Sequence, residues 1–219
     1  MNNNKKSILA LVMAFTLNSC ASSDTTQKPL KPSDVVPDAK ALYKELELMD
    51  ILPEKAFVDG YKIAMTSSFS NHTLAVVDFT RHSSTKRLNL FDLDQKKHLM
   101  STYVSHGMMS GTGYATSFSN ELGSNMSSLG HYVGNETYSG KNGYSLRVDG
   151  MTIGANDNAR RRYITFHKSS YANPEVIEVN KMLGRSNGCF AVPEDDYQFV
   201  INQLKEGGII YAYHDGIMR

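Results

Sequence analysis

The apolar patterning changes character near residue 70, and that change limits the folds open to this chain. Ahead of it, Leu42, Leu46 and Met49 recur at helical spacing within Ala39–Asp50. Pro53, well suited to the first turn of a helix, opens a second helical stretch through Phe57 to Ala64. Beyond it, apolar residues come in short runs bounded by turn residues. Thr73–Phe79 is strand-like, Leu88, Leu90 and Phe91 mark a second strand, and Asp94-Gln95-Lys96-Lys97 reads as a turn into a strand over His98–Ser105. Those two strands make a hairpin. Tyr144–Val148 and Arg162–His167 read as further strands. Pro193 then opens a last helix with Tyr197, Val200, Ile201 and Leu204 on one face; Gly207-Gly208 ends it, and Ile209–Tyr213 closes the chain as a strand. Residues 106–143 are rich in Gly, Ser, Asn and Tyr and read as a long binding loop or insertion. Helices first and hairpins later predict an α+β domain over 39–219, mainly antiparallel β, with N-terminal helices at about 39–66.

The N-terminus reads as an address. Lys5 and Lys6 precede a short apolar run, Ile8–Leu17, well short of the ~20 residues a membrane-spanning helix needs. Leu17-Asn18-Ser19-Cys20 resembles a bacterial lipobox, which makes 1–19 a lipoprotein signal peptide and Cys20 the lipidated first residue. Ordinary signal cleavage nearby, with Cys20 incidental, is the other reading. Residues 20–38, holding Pro29, Pro32 and Pro37, read as a flexible tether that reaches roughly 50 Å at ~3.1 Å per residue. The expectation is a domain held to the membrane by its N-terminal lipid, in the bacterial cell envelope and facing the periplasm. Removing Lys5 and Lys6 with the leader turns the net charge from +1 to −1, and Lys and Arg are scattered. Neither nucleic acid nor a basic membrane-binding stripe is indicated.

Only two cysteines are present, Cys20 and Cys189. An exported chain with two cysteines ordinarily forms one disulfide; if Cys20 carries lipid, Cys189 stands unpaired in an oxidising compartment. It ends the stretch Gly184-Arg185-Ser186-Asn187-Gly188-Cys189. Arg185 offers charge to favour a thiolate, and Gly188 permits a tight turn that points backbone N–H groups at an oxyanion beside the sulfur. A buried core cysteine fits the local chemistry equally well. A thiol nucleophile needs a base, normally histidine. Alternation in Tyr163-Ile164-Thr165-Phe166-His167 puts Tyr163, Thr165 and His167 on one face, so His167 ends a strand facing a cleft. His106, in Ser105-His106-Gly107, is the competing base. His106, His131 and His167 meeting around a metal is a third option, but no HExxH or comparable spacing supports it, and neither metal nor cofactor is expected.

His167 followed by Ser-x-Gly-Cys resembles the L,D-transpeptidase catalytic domain of the YkuD-like fold. The similarity runs from about Pro53 to Tyr213, through Leu88–Leu93, Ser105-His106-Gly107, Ser117–Asn120, Ser127–Gly130, Gly143–Leu146 and Asn156–Ala159. It points to the branch of murein L,D-transpeptidase catalytic domain proteins. The resemblance implies a β-sandwich or barrel catalytic domain, monomeric and without cofactor, acting on peptidoglycan stem peptides. Cys189 would attack the carbonyl between a diaminopimelate-type residue and a terminal D-alanine. His167 would be the base, oriented by a backbone carbonyl, and the N–H groups of Gly188 and Cys189 would hold the oxyanion. Arg185, Ser186 and Asn187 complete the nucleophile loop, and His106, Gly107, Ser119, Asn120, Ser127 and Ser128 are implied in substrate binding. Two positions depart from the better-known pattern: Asn187 stands where a histidine is usual, and Ser127-Ser128-Leu129-Gly130 where Thr-Pro-x-Gly is common. Hydrolysis alone, as an L,D-carboxypeptidase, and non-catalytic wall binding by a lipoprotein are the alternatives.

Overall fold

Residues 31–216 are described by the structure, a computed structural model. The leader, the lipobox with Cys20 and the tether as far as residue 30 therefore lie outside the described residues.

Two helices come first, α1 (Pro32–Glu45) and α2 (Glu54–Thr66). α1 corrects the tether expected over 20–38, because its seven N-terminal residues belong to a helix despite Pro37 inside it. Val35, Ala39 and Leu42 lie at i, i+4 and i+7 and are all buried, so packing overrides the proline-rich composition. The first helix also ends earlier than Met49 suggested. Glu47 takes a left-handed φ of 52°, a short 3₁₀ turn follows over Leu48–Asp50, and Met49 is exposed.

The strands are β1 (Thr73–Asp78), β2 (Leu88–Asp92), β3 (Lys97–Thr102), β4 (Gly130–Gly140), β5 (Gly143–Gly150), β6 (Thr165–Lys168), β7 (Phe190–Val192) and β8 (Ile209–Tyr213). A short helix α3 (Pro174–Asn180) lies between β6 and β7, and α4 (Tyr197–Leu204) between β7 and β8. All eight strands join one sheet in the order β3-β2-β1-β8-β4-β5-β6-β7, curled into a half-barrel. Antiparallel pairs dominate, as expected, and β1·β8 and β6·β7 are parallel. The predicted β2–β3 hairpin forms. The expected irregular stretch 106–143 is only partly irregular, because its last third is the long strand β4.

The middle of the sheet is covered on both faces, which is why β1 reads as an unbroken apolar run rather than an alternating one. Leu74 and Val76 face α1 and α2, as do Tyr211 and Tyr213 of β8. Ala75, Val77, Ile210 and Ala212 face the opposite core together with Leu146, Phe166, Phe190 and Leu204. There Phe166 stacks on Phe190 with centroids 4.7 Å apart, and Tyr132 meets Phe190 edge-on at 5.3 Å. Each fully buried ring of this kind contributes about 1.5–3 kcal/mol by transfer from water. This aromatic layer anchors the ends of β6 and β7, where the sequence placed its two candidate catalytic residues.

Candidate active site

Parallel pairing of β6 with β7 sets Phe166 opposite Phe190 and His167 opposite Ala191. Because both phenylalanines point into the core, alternation sends Thr165 and His167 to the other face. Cys189, immediately before β7, arrives on that same face. Thr165 Oγ1 lies 3.8 Å from the Cys189 sulfur, and the thiol donates to the Tyr163 carbonyl at 3.5 Å. The His167 ring shares this face and lies near enough for ring and thiol each to shift the other's proton affinity. Its Nδ1 donates to the Lys168 carbonyl at 2.8 Å, which leaves Nε2 as the nitrogen able to exchange a proton with sulfur.

Burial pushes the Cys189 thiol up, but the hydrogen bond and charge of His167, with further hydrogen bonds from Thr165, outweigh it and hold the thiol below its ordinary value. Burial pushes His167 down, and there the contact with Cys189 and the Lys168 carbonyl win, so the imidazole is raised. Both shifts run in the direction that favours a thiolate beside an imidazolium, the reactive form of a cysteine nucleophile.

The nucleophile turn is braced by Ser186. Its Oγ accepts the Gly188 N–H at 3.0 Å and donates to the Cys189 carbonyl at 2.7 Å. Gly188 has φ 113°, and a Cβ there would stand 2.6 Å from the Met126 carbonyl oxygen, so only glycine fits. The Gly188 amide expected to hold an oxyanion is therefore engaged within the loop. The Cys189 N–H has no protein acceptor among the described residues and is the donor left on this turn. Arg185 also differs from expectation. It donates to the Met108 and Gly111 carbonyls at 3.3 and 3.0 Å, fastening the 108–111 loop, and is not among the groups that favour the thiolate. Asn187 is exposed beside the thiol.

The competing base, His106, is fully buried. Its Nδ1 accepts a hydrogen bond from Arg87 Nη2 at 2.8 Å, while Arg87 Nε and Nη2 also hold the Val104 carbonyl. Burial, then the Arg87 charge, push its pKa down to about 4. It is a neutral structural acceptor, so the expectation that it contacts substrate is corrected. Ser127 and Ser128 are buried as well: Ser127 Oγ accepts the Gly107 N–H, and Ser128 Oγ pairs with the Tyr132 hydroxyl at 2.7 Å. A Cβ on Gly107 would lie 2.5 Å from the Asn125 carbonyl oxygen, so this glycine lets the 125–127 backbone close over it. Asn120 is partly exposed but ties its loop to Asp157 and Asn158, and the Ser119 Oγ accepts the Glu121 N–H. These residues serve to hold the loops around the nucleophile turn in place. His131 bonds Thr152, so the three histidines considered for a metal are held by three separate partners, and among the described residues no group of three or more His, Cys, Asp or Glu is placed to hold one.

Three contributors were not legible as functional. Strand alternation puts Thr165 on the correct face, but a threonine there carries no signal of a role at the thiol. Tyr163, expected in the strand, instead occupies a left-handed turn at φ 57°. Its N–H bonds the Arg160 carbonyl and the Ile164 N–H bonds the Ala159 carbonyl, a Schellman arrangement, with Ile164 and Ala159 both in the core. Glycine usually takes that left-handed position, so a tyrosine there gives no sequence signal. The turn aims the Tyr163 carbonyl at the thiol and places Arg162 beside Gly188.

The chain belongs to the YkuD_2 family, the L,D-transpeptidase catalytic domain, whose pattern matches residues 49–213. No curated protein matches it significantly. Among solved structures, it is similar to an L,D-transpeptidase from Mycobacterium smegmatis at 13% identity and TM-score 0.40, covering 65% of this chain and 58% of that one. It is similar to Bdellovibrio bacteriovorus Bd1075 at 16% identity and TM-score 0.42, covering 67% and 49%. An L,D-transpeptidase from Stackebrandtia nassauensis shares 17% identity at TM-score 0.36, covering 83% and 78%. The chain thus spans less than two thirds of the first two proteins.

Proposed function

We propose that this protein is a peptidoglycan L,D-transpeptidase that works through a Cys189 thioester. The observation that carries the reading is the placement of the pair: the parallel β6–β7 pairing brings Cys189 to the face that carries His167, whose Nδ1 is fixed on the Lys168 carbonyl. The Cys189 sulfur attacks the carbonyl joining a diaminopimelate-type residue to a terminal D-alanine, and the Cys189 N–H faces the oxyanion. His167 delivers its proton to the leaving amine, so D-alanine departs neutral at nitrogen and the stem remains as thioester. An acceptor amine then attacks, passes a proton to His167 and releases the thiol. Water in place of the amine gives hydrolysis.

The same reading puts the domain in the bacterial cell envelope as a monomer held by lipid on Cys20. In a bacterial host, Cys20→Ser should move the full chain out of the detergent-extracted membrane fraction; unchanged partition would remove the lipid from the account. The activity is tested by incubating the protein with tetrapeptide muropeptides. D-Alanine release is expected, with cross-linked dimers if transfer occurs and trimmed tripeptides if water intervenes. Cys189→Ala giving the same products as wild type would refute the mechanism.

A further inference from the structure

Arg162 does not touch the reacting pair, yet it joins the two loops that frame it. It is partly buried at the end of the turn leading into β6. Its Nη1 donates to the Ser119 carbonyl at 2.7 Å and to Ser128 Oγ at 3.1 Å. Its Nη2 donates to Ser124 Oγ at 3.2 Å and to the Met126 carbonyl at 2.5 Å. All four N–H groups on its two terminal nitrogens are thus directed at one segment, 119–128. That segment carries few apolar anchors of its own, and Leu122 is exposed. On its other side the guanidinium abuts the nucleophile turn: a Cβ on Gly188 would lie 3.2 Å from Nη2 and 2.6 Å from the Met126 oxygen that Nη2 grips.

Electrostatics agree with this geometry. Burial lowers Arg162, while Tyr132, Cys189 and Glu121 act in the opposite direction and keep the guanidinium charged. A planar fork that makes two bonds from each terminal nitrogen cannot be reproduced by an ammonium group.

We propose that Arg162 is a positioning residue for Cys189: it clamps the 119–128 segment as a wall against the Gly188 turn, and the clamp holds the thiol and the Cys189 N–H in their working orientation. The role in turnover rests on the transpeptidase reading, but the clamp acts on thiol reactivity whatever the substrate. The test therefore uses iodoacetamide, with no peptidoglycan. Alkylation of Cys189 is followed against pH in wild type, Arg162→Gln, Arg162→Lys and Arg161→Gln, alongside amide hydrogen exchange of 119–128. Arg161 is exposed and its hydrogen bond goes to Asn158 rather than to that segment, so Arg161→Gln should match wild type.

Arg162→Gln should react about tenfold more slowly near neutrality, in keeping with the loss from a misplaced reacting group. Its pH midpoint should move up, and exchange over 119–128 should quicken. Arg162→Lys, which keeps the charge and loses the fork, should recover part of the midpoint shift but still exchange fast. A folded Arg162→Gln with the wild-type alkylation profile would overturn the proposal. So would Arg162→Lys restoring both rate and exchange fully, because charge alone would then suffice. If Arg162→Gln does not fold, the lysine variant decides by the same two readouts.

Discussion

At Cys189 two opposed effects act on the thiol proton. Burial keeps it on, and His167 with Thr165 draws it off; the second wins. Removing the imidazole leaves burial unopposed by its largest competitor. His167→Gln should therefore move the midpoint of Cys189 alkylation upward, to the ordinary thiol value of about 8.5 or above it. An unchanged midpoint would mean that another group activates the sulfur. For turnover the same shifts predict a bell. The acid limb belongs to proton loss from a lowered thiol, and the alkaline limb to proton loss from a raised imidazolium that must protonate the leaving amine. Both apparent values are properties of the pair rather than of either residue. His106 behaves oppositely. Its folded pKa of about 4 lies below the ordinary 6.5, so the folded state takes up the proton less readily than the unfolded chain. The stabilisation is complete above about 6.5 and is lost as pH falls toward 4. Urea unfolding of wild type should show that decline between pH 6.5 and 4. The His106→Gln variant should show a shallower one, and equal slopes would disprove the buried, neutral histidine.

At the scale of elements, the sequence reading succeeded where burial and periodicity coincide. β1, the β2–β3 hairpin, α4 and β8 all carry apolar residues on the faces that the core requires. The shared face of His167 and Cys189 is legible because a strand period and a short loop motif point to it independently. What stayed hidden depends on partners distant in sequence. Arg162 reads as one of three consecutive arginines, and only folding brings it to Ser119, Ser124, Met126 and Ser128. Arg185, beside the cysteine in sequence, looks like its activator, yet its donors reach the 108–111 loop. β4 was lost in a glycine- and serine-rich stretch because its outer half is exposed and carries little apolar pattern. α1 was shortened by its prolines, although Val35, Ala39 and Leu42 pack on the sheet-covering layer. If that helix is part of the fold, Leu42→Ala should cost about 2–5 kcal/mol in urea unfolding. A loss under about 0.5 kcal/mol, the range of surface changes, would show the helix to be peripheral.

Across the whole molecule, one curled sheet does two jobs. Its centre is sandwiched between the helical layer and the aromatic core, and one edge presents β6 and β7 with their reactive side chains turned away from that core. The loops 105–129 and 151–164 then close round the edge, stitched by Asn120 to Asp157 and Asn158 and by Arg162 to the 119–128 segment. Rigid packing behind the site and hydrogen-bonded loops in front of it leave the thiol as a partly buried reactive group on the nucleophile turn. The central claim is that this thiol carries the acyl group. Intact-protein mass spectrometry after brief mixing with a tetrapeptide stem tests it most directly. The mass should rise by that of the acyl tripeptide, with the adduct mapped to the peptide containing Cys189 and lost under hydroxylamine. D-Alanine release with no adduct at any time, and at the same rate in Cys189→Ala, would contradict the account.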